Sequence, residues 1–296
     1  MDRPLRIGTR GSPLALAQAH MVAAALRQAH GWAEPMVEIV PITTSGDRIQ
    51  DRPLAEVGGK ALWTKELDRC LVEGRTDLSV HSMKDVETIR PEELVIAAML
   101  PRADPRDRLI GAPDLNSLAA GACIGTSSPR RRAQLLARRP DLRIVMLRGN
   151  VQTRLAKLER GEVDATLLAA AGLDRVGLAE VGRPIEGMIP APSQGAIGVE
   201  VLAGSERVGE LVTAIDHRPT HSCVDAERIF LAGVGGDCRS AVAAHARLEP
   251  DGLRLTAEIL APDGSEVRAG EDREPAELAR RLLAEASPAL RAMFAC

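Results

Sequence analysis

A short pattern that occurs twice constrains the fold of this chain more than any other feature. A segment ending in Ile-Gly-Thr is followed by Ser-Pro and then, four residues after the proline, by Ala-Gln, over residues 7–18 and again over residues 124–134. Each copy is followed by Leu-x-x-Gly-x-x-Asp, over residues 71–77 and 158–164. Serine is a favoured N-cap and proline a favoured first helical residue. We therefore predict the same strand-to-helix unit in both halves.

Strands and helices are predicted to alternate along both halves. The predicted elements of the first half are strands at 5–7, 36–43, 77–80 and 94–100 and helices at 13–30 and 61–74. Those of the second half are strands at 122–125, 143–147 and 165–169, with helices that begin at Pro129 and Val151. Such alternation is typical of an α/β fold with a mostly parallel sheet.

A third region begins near His217. Its predicted elements are a helix at 219–232, strands at 241–248 and 253–261, and a last helix at 275–291. The proline-containing, charged segment 101–107 is interpreted as a crossing between domains, and residues 195–201 as a strand that returns to the first sheet. The predicted domains are residues 1–100 with 194–216 (α/β), residues 101–193 (α/β) and residues 217–296 (α+β).

The composition argues against several classes of protein. Aromatic residues make up 1% of the chain and the formal net charge is −3, whereas single-stranded nucleic acids are held by aromatic stacking in a basic groove. We therefore predict no nucleic-acid partner. No apolar stretch is long enough to span a membrane, and no signal peptide is evident. The five scattered cysteines favour reduced thiols in a cytoplasmic protein over a disulfide framework or a metal site.

Arginines collect where predicted strands end and helices begin. Arg130 and Arg131 open a helix, where consecutive arginines would repel one another and the helix dipole unless an anion binds. The other arginines at such junctions are Arg10, Arg148, Arg154 and Arg175. Ligands of open α/β sheets bind at the carboxyl ends of the strands, and the guanidinium fork matches a carboxylate. We therefore predict a site for a ligand with many carboxylates or phosphates.

Two further segments carry reactive groups. His81-Ser82-Met83-Lys84-Asp85 follows a predicted strand, where an active-site loop belongs, although a surface turn is an equal alternative. Cys238 lies in Gly235-Gly236-Asp237-Cys238-Arg239. The glycines would allow a ligand to approach the backbone, and Arg239 would favour the thiolate while Asp237 opposes it. A small buried loop thiol is the ordinary alternative.

Together these segments resemble the porphobilinogen deaminase (hydroxymethylbilane synthase) family. The similar segments, which follow the family's order over nearly the whole chain, are Ile7–Gln18, Val57–Lys60, Val80–Asp85, Asp104–Asp107, Gly125–Arg131, Leu147–Asn150, Thr153–Leu155, Gln194-Gly195 and the loop at Cys238. The resemblance implies two α/β domains like those of periplasmic binding proteins, with the active cleft between them, and a small C-terminal α+β domain. It also implies a dipyrromethane cofactor attached to Cys238 through a thioether.

The family condenses four porphobilinogen molecules head to tail, with loss of ammonia, into hydroxymethylbilane for tetrapyrrole and heme biosynthesis. By resemblance, Asp85 is the catalytic residue. The implied cofactor-binding residues are Cys238, Ser82, Lys84, Asp85, Thr126, Ser127, Ser128, Arg130, Arg131, Arg148, Arg154 and Gly172. The implied substrate-binding residues are Arg10, Ser12, Gln18, Arg148, Arg154, Arg175 and Gln194. A monomer whose product passes to uroporphyrinogen-III synthase is also implied.

The chain departs from the family's pattern at Glu56, Trp63, Ser193 and Asp237. None of these positions supplies a group that the reaction needs, so they bear on affinity rather than on reaction class. The principal alternative is a non-catalytic two-domain anion-binding protein, which would have no use for Cys238 beside glycines and for which we would expect a signal peptide. The second alternative, a nucleic-acid-binding protein using residues 130–132, conflicts with the net charge and the scarcity of aromatic residues.

Overall fold

The computed structural model describes residues 3–44, 64–237 and 239–294. The predictions that concern Glu56, Lys60, Trp63 and Cys238 lie outside the described residues. The chain divides into two compact units, Met1–Arg102 with Ala196–His221 and Ala103–Gly195 with Ser222–Cys296.

The described strands are β1 (Leu5–Arg10), β2 (Val37–Ile42), β3 (Leu78–Ser82), β4 (Leu94–Met99), β5 (Asp107–Ile110), β6 (Cys123–Gly125), β7 (Arg143–Val145), β8 (Ala165–Ala169), β9 (Arg183–Pro184), β10 (Ile197–Leu202), β11 (Val242–Glu249), β12 (Gly252–Leu260) and β13 (Val267–Asp272). The described α-helices are α1 (Pro13–His30), α2 (Lys65–Val72), α3 (Pro129–Arg138), α4 (Val151–Glu159), α5 (Ala170–Arg175), α6 (Glu206–Thr213), α7 (Arg218–Gly233), α8 (Pro275–Glu285) and α9 (Pro288–Ala292). Within these described ranges, no helix has both the length and the apolar character that a membrane span requires.

The sheet of the first unit has the strand order β2-β1-β3-β10-β4. Strands β1, β2 and β3 are parallel, whereas β10 runs antiparallel between β3 and β4. The predicted return of residues 195–201 to the first sheet is therefore confirmed. Apolar residues of β1, β3, β10 and α1 pack together, with Ile7, Leu26, Leu78 and Val199 fully buried.

The sheet of the second unit has the order β7-β6-β8-β5-β9. Strands β6, β7 and β8 are parallel, and β5 runs antiparallel to β8 and to β9. In each sheet, three parallel strands lie side by side, and the one that comes first in the sequence is in the middle. An antiparallel strand follows next to the third of them, and then a strand at the edge of the sheet. Residues 101–107 were interpreted as a crossing between domains. This interpretation was wrong for the last residue, because Asp107 is buried and begins β5.

The repeated sequence pattern corresponds to a repeated structural device. The backbone N–H of Arg6, in β1, donates to the Asp77 carboxylate at 2.8 Å, and the N–H of Cys123, in β6, donates to the Asp164 carboxylate at 2.6 Å. In return, the N–H groups of Asp77 and Asp164 donate to the carbonyls of Arg6 and Cys123. The equivalent aspartates therefore fix the first strand of each sheet, and the predicted shared architecture is confirmed.

The C-terminal region holds an antiparallel sheet in the order β11-β12-β13, packed with α7, α8 and α9 around Phe230. Strand β13 was not predicted, and the single helix expected over 275–291 is two helices, because Ser287 caps a new one that begins at Pro288. The β12–β13 turn packs on α3, where a Cβ added to Gly264 would overlap the backbone at Leu136 and Ala137. The fold class, two α/β domains and a small C-terminal sheet domain, is confirmed.

Candidate active site

A cavity in the first unit lies where β1 and β3 end. Four of the predicted site residues line it: Arg10, Gln18, Ser82 and Asp85. The remaining lining residues are Ala15, Thr64, Val80, His81 and Val86. Ser12 and Lys84, which were also predicted to bind ligands, are not among these lining residues. The carboxyl ends of parallel strands have thus brought together groups that are up to 75 positions apart in sequence, between Arg10 and Asp85.

Local hydrogen bonds fix the walls of this cavity. The Gln18 amide nitrogen donates to the Ser82 hydroxyl at 2.8 Å, and that hydroxyl donates back to the Gln18 amide oxygen at 3.0 Å. Ser12 caps α1, since its hydroxyl accepts from the N–H of Ala15 at 3.3 Å. The first Ser-Pro therefore sets the beginning of α1, which in turn carries Gln18 to Ser82.

Asp85 is at the end of a 3₁₀ turn, Met83–Asp85, that directly follows β3. The turn is anchored by Met83, which is fully buried against Gly198 of β10, where a Cβ would overlap the methionine sulfur. Asp85 itself is half-buried. Within the described chain, no hydrogen bond or ion pair engages its carboxylate. The turn therefore presents an unpaired carboxylate to the cavity.

A buried polar network lies behind the same cavity. His81 Nε2 is 3.1 Å from the Glu200 carboxylate, and Arg90 binds both oxygens of that carboxylate, at 2.8 and 2.9 Å. Burial opposes the charge on Glu200, but His81 and Arg90 lower the pKa of its carboxyl to about 2. Sequence reasoning missed Arg90 and Glu200. Glu200 could have been found, because a glutamate inside the apolar run of β10 indicates a buried charge that needs a partner.

The second unit holds a cluster of buried charges at the beginning of α3. Arg130 and Arg131 each donate to a different oxygen of Asp107, at 2.8 and 2.7 Å. The Gln194 amide donates to the same carboxylate at 2.8 Å. Burial opposes ionisation of Asp107, but the two guanidinium groups hold the pKa of its carboxyl well below the usual range. Asp107, which sequence reasoning missed, is thus the counterion of two predicted ligand-binding arginines.

Three arginines of this unit have incomplete hydrogen bonding. The Nε atoms of Arg130, Arg131 and Arg175 are buried and have no hydrogen-bond partner among the described residues. Arg175 donates to the Gly195 carbonyl at 2.6 Å but forms no ion pair within the described chain. Burial lowers the pKa of its guanidinium to about 10, against a small opposing effect of Asp174. A carboxylate-bearing ligand would offset this cost.

The other predicted residues of the second unit form the loops beside this cluster. Thr126 and Ser128 shape the beginning of α3, since the Thr126 hydroxyl accepts from the Ser128 N–H at 3.1 Å. Arg154, on α4, donates to the Gly149 carbonyl at 2.9 Å and approaches the Ser127 hydroxyl at 3.5 Å. The backbone carbonyl of Arg148 lies 3.5 Å from the Lys157 ammonium, and Gly172 lies within α5.

Position 238 is flanked by an ion pair. Arg239 donates to the Asp237 carboxylate at 2.9 and 2.7 Å, so the two charges that were expected to act in opposite senses on the thiol pair with each other. The preceding glycines have a structural use. A Cβ on Gly235 would lie 2.5 Å from the Phe294 carbonyl oxygen. This glycine therefore allows a close approach of the protein's own C-terminal segment, whereas we had expected it to allow the approach of a ligand.

Among the residues that the structure describes, no group of three or more His, Cys, Asp or Glu side chains is arranged to hold a metal ion. The three cysteines that the structure describes, Cys70, Cys123 and Cys223, are buried and form no disulfide bond with one another.

Two family models match the chain. The model of "Porphobilinogen deaminase, dipyromethane cofactor binding domain" matches residues 5–210, and that of "Porphobilinogen deaminase, C-terminal domain" matches residues 221–288. The chain belongs to the porphobilinogen deaminase family. It is therefore an enzyme of tetrapyrrole biosynthesis, and its matched N-terminal region is the family's dipyrromethane-binding domain.

Curated relatives of the porphobilinogen deaminase family cover nearly the whole chain. The porphobilinogen deaminase of Sphingopyxis alaskensis is 58% identical over 99% of this chain and 98% of its own length. That of Paracoccus denitrificans is 53% identical over 93% of this chain and 90% of its own length.

Solved structures that are similar to the chain include two periplasmic proteins. One is a TRAP periplasmic solute binding protein from Desulfovibrio salexigens, with a TM-score of 0.45 and 11% identity over 78% of this chain and 76% of that one. The other is a periplasmic substrate-binding protein of an ABC transporter from Coxiella burnetii, with a TM-score of 0.42 and 18% identity over 74% of this chain and 94% of that one.

Proposed function

We propose that Asp85 is the catalytic carboxylate with which this chain condenses four porphobilinogen molecules head to tail into hydroxymethylbilane. The observation that carries the proposal is the unpaired state of Asp85 in a cavity that Arg10, Gln18 and Ser82 also line. The other acidic groups near the two sites, Asp107 and Glu200, are bound by arginines. Asp85 is thus the acidic group of this cavity that is available to a substrate.

The chemistry of porphobilinogen explains why such a carboxylate is needed. Loss of ammonia from the aminomethyl group leaves an electron-poor carbon, and the positive charge spreads over the pyrrole ring to its nitrogen. A fixed carboxylate beside that nitrogen stabilises the charge as it develops, and it does so best in a site from which water is excluded. The acetate and propionate groups of the substrate are the groups that Arg10 would bind.

The residues of the second unit fit a group with several carboxylates. Dipyrromethane carries acetate and propionate groups, and when bound it supplies the carbon that begins the chain. The clustering of Arg130 and Arg131 at the beginning of α3, and an Arg175 side chain that forms no ion pair with any described residue, support such a ligand. We assign cofactor binding to these residues of the second unit: Thr126, Ser127, Ser128, Arg130, Arg131, Arg148, Arg154 and Gly172. Ser82, Lys84 and Asp85 would contribute from the first unit, and Cys238 would form the thioether.

For the substrate side groups, the proposal extends to the remaining predicted residues. They are Arg10, Ser12, Gln18, Arg148, Arg154, Arg175 and Gln194. We propose that Gln194 and Ser12 position other side chains. Gln194 donates to Asp107, and Ser12 caps the helix that carries Gln18.

The division of the chain and its setting in the cell are also proposals. We propose three domains, residues 1–100 with 194–216, residues 101–193 and residues 217–296. We further propose a cytoplasmic monomer whose product is used by uroporphyrinogen-III synthase. The absence of a disulfide among the described cysteines, Cys70, Cys123 and Cys223, is in keeping with a reducing compartment.

The substitution Asp85→Asn tests the central assignment. It keeps the size of the side chain but removes its charge, so we expect turnover to fall by about 10² or more, while intact mass still shows the added dipyrromethane. Glu73→Gln, the same chemical change at a surface ion pair with Arg69 in the same unit, serves as the control and should retain turnover. Near-normal formation of hydroxymethylbilane by the Asp85→Asn protein would refute the role of Asp85. Absence of turnover in the unsubstituted protein would favour a non-catalytic anion-binding protein.

A further inference from the structure

His81 occupies an unusual position for a histidine in a strand. His81 is among the residues that line the same cavity as Asp85, and its side chain is only 5% exposed. Nε2 faces the Glu200 carboxylate at 3.1 Å, and no described residue hydrogen-bonds Nδ1. An ionised carboxylate only accepts hydrogen bonds, so Nε2 carries a hydrogen and Nδ1 of the neutral ring has a free lone pair. The ring is therefore arranged as a proton acceptor whose other nitrogen is held by a carboxylate.

The surroundings of Glu200 keep that carboxylate ionised and fixed. Arg90 binds both of its oxygens, and Arg90 is itself held by Asp68 and Glu87, each at 2.6 Å. Glu87 also accepts from the hydroxyl of Thr64. Because Arg90 binds both oxygens of Glu200 and is itself held by Asp68 and Glu87, Glu200 has little freedom to turn away from His81.

The charges that surround His81 come from every element packed against it. They are Glu200 on β10, Asp68 on α2, Arg90 and Glu87 on the segment after the Met83–Asp85 turn, and Asp85 and Arg10 at the cavity. Four of these groups are acidic and two are basic. Glu200 is the one that lies within hydrogen-bond distance of the ring.

We propose that His81, positioned by Glu200, accepts the proton that leaves the pyrrole nitrogen of porphobilinogen as ammonia departs. This inference rests on the proposed function. The carbon–nitrogen bond of the aminomethyl group breaks and its electron pair leaves with ammonia. The pyrrole N–H bond also breaks, and its electron pair forms the new double-bond system of the ring. The proton passes to Nδ1, so the positive charge of the substrate ammonium becomes that of the imidazolium. Transfer of this proton to the departing ammonia yields ammonium and restores neutral His81.

The roles of His81 and Asp85 are then distinct. Asp85 stabilises the positive charge on the ring by its own negative charge, whereas His81 removes the proton. A base of this kind contributes about 10²–10⁴-fold to a rate. A carboxylate that holds the opposite ring nitrogen fixes the tautomer and stabilises the imidazolium, which is the role we assign to Glu200.

The pH dependence of kcat, measured on holoenzyme whose dipyrromethane content is checked by intact mass, tests the proposal. In His81→Gln we expect kcat to fall by about 10² or more, KM to change little, and the acidic limb of the profile to be lost because no imidazole titrates. In Glu200→Gln we expect a smaller loss of kcat, because the ring loses the carboxylate that fixes its tautomer. His30→Gln is the control, since His30 contacts the Leu211 carbonyl and stacks on Trp32 in the same unit.

A second measurement does not depend on turnover. In ¹⁵N-histidine-labelled holoenzyme at pH 8, we expect His81 to be neutral with hydrogen on Nε2 and none on Nδ1. An Nδ1–H tautomer would overturn the proposal, as would a folded His81→Gln protein with kcat within twofold of the unsubstituted enzyme and an unchanged acidic limb. If His81→Gln does not fold, the kcat of Glu200→Gln and the tautomer decide the matter. Failure of the unsubstituted enzyme to make hydroxymethylbilane would instead refute the proposed function.

Discussion

Acidic residues near the two sites differ in whether an arginine binds them. We use this difference to distinguish carboxylates that hold the structure together from the carboxylate that we propose to be catalytic. Asp107 and Glu200 are buried and bound by arginines, whereas Asp85 is unpaired within the described chain and lines a cavity. A buried carboxylate with several donors has a low pKa and a fixed position, which suits a counterion. A carboxylate without a protein partner remains available to a substrate.

Removing the charge of Asp107 should destabilise the protein strongly. Asp107→Asn leaves the buried Arg130 and Arg131 without a counterion, and we expect a loss of about 3 kcal/mol or more in the free energy of unfolding at neutral pH. Urea titration measures this loss. Because the pKa of Asp107 is lowered in the folded state, its contribution is present above the ordinary aspartate pKa and disappears as the pH falls below that range. The difference between the two proteins should therefore shrink in acid.

Asp141→Asn is the matched control for this substitution. Asp141 also pairs with an arginine of the same unit, Arg139, at 2.8 Å, but its side chain is 39% exposed. Ion pairs at the surface contribute little to stability, so this variant should remain nearly as stable as the unsubstituted protein. Equal losses in the two variants would show that burial of the Asp107 cluster has no special weight.

At this scale the sequence indicates individual groups but not their partners. The arginines after the second Ser-Pro were predicted to bind an anion, and the structure shows that Asp107 already neutralises part of their charge. Asp107 is more than 20 positions away from them and stands in a charged segment with prolines. Long-range pairing of this kind depends on the order of strands in the sheet, which a local pattern does not contain.

At the scale of elements, a strong periodic pattern of apolar residues predicted the ends of a helix accurately. Strands in which charged and apolar residues are mixed were missed. Helix α1 has the predicted bounds, Pro13–His30, because Ser12 and Pro13 mark its beginning and Gly31 adopts the left-handed conformation that ends it. Strand β5 was missed because it begins with two charged residues after prolines. Strand β13 was missed because its charged residues face solvent and few of its residues are apolar.

The contact between the β12–β13 turn and α3 offers a test at this scale. Gly264 has a φ of 75°, and a Cβ there would overlap the backbone of α3. Gly161 has a similar φ of 70° but nothing lies within 4 Å of its Cβ position. Both alanine substitutions incur the cost of the left-handed conformation, about 1 kcal/mol, but only Gly264→Ala must also displace α3.

We therefore expect Gly264→Ala to have a clearly lower thermal midpoint than Gly161→Ala. We also expect it to load less dipyrromethane, because α3 carries Arg130 and Arg131. Thermal unfolding followed by circular dichroism and intact mass of the purified proteins measure the two effects. Identical midpoints for the two variants would show that the turn does not need its close approach to α3.

At the scale of the whole molecule, the two sheets repeat one strand order, and the repeated sequence pattern predicted this similarity. The pattern marks equivalent features, such as the aspartates at 77 and 164 and the helix caps at 12 and 128. It does not mark where the halves differ. Asp85, the carboxylate that we propose to be catalytic, lies in one unit and the cluster of buried arginines in the other, and the chemistry of the proposed ligand would explain why both are needed.

The central claim is that this chain carries a dipyrromethane on Cys238 and uses it as the primer for porphobilinogen condensation. The measurement that tests it most directly is the intact mass of the purified protein, compared with Cys238→Ser and with Cys223→Ser, a buried helical thiol, as the control. We predict that the unsubstituted and Cys223→Ser proteins exceed their sequence masses by two porphobilinogen molecules less two of ammonia, and that Cys238→Ser does not and is inactive. An unmodified protein that still forms hydroxymethylbilane, or a Cys238→Ser protein that keeps the added mass, would contradict the account.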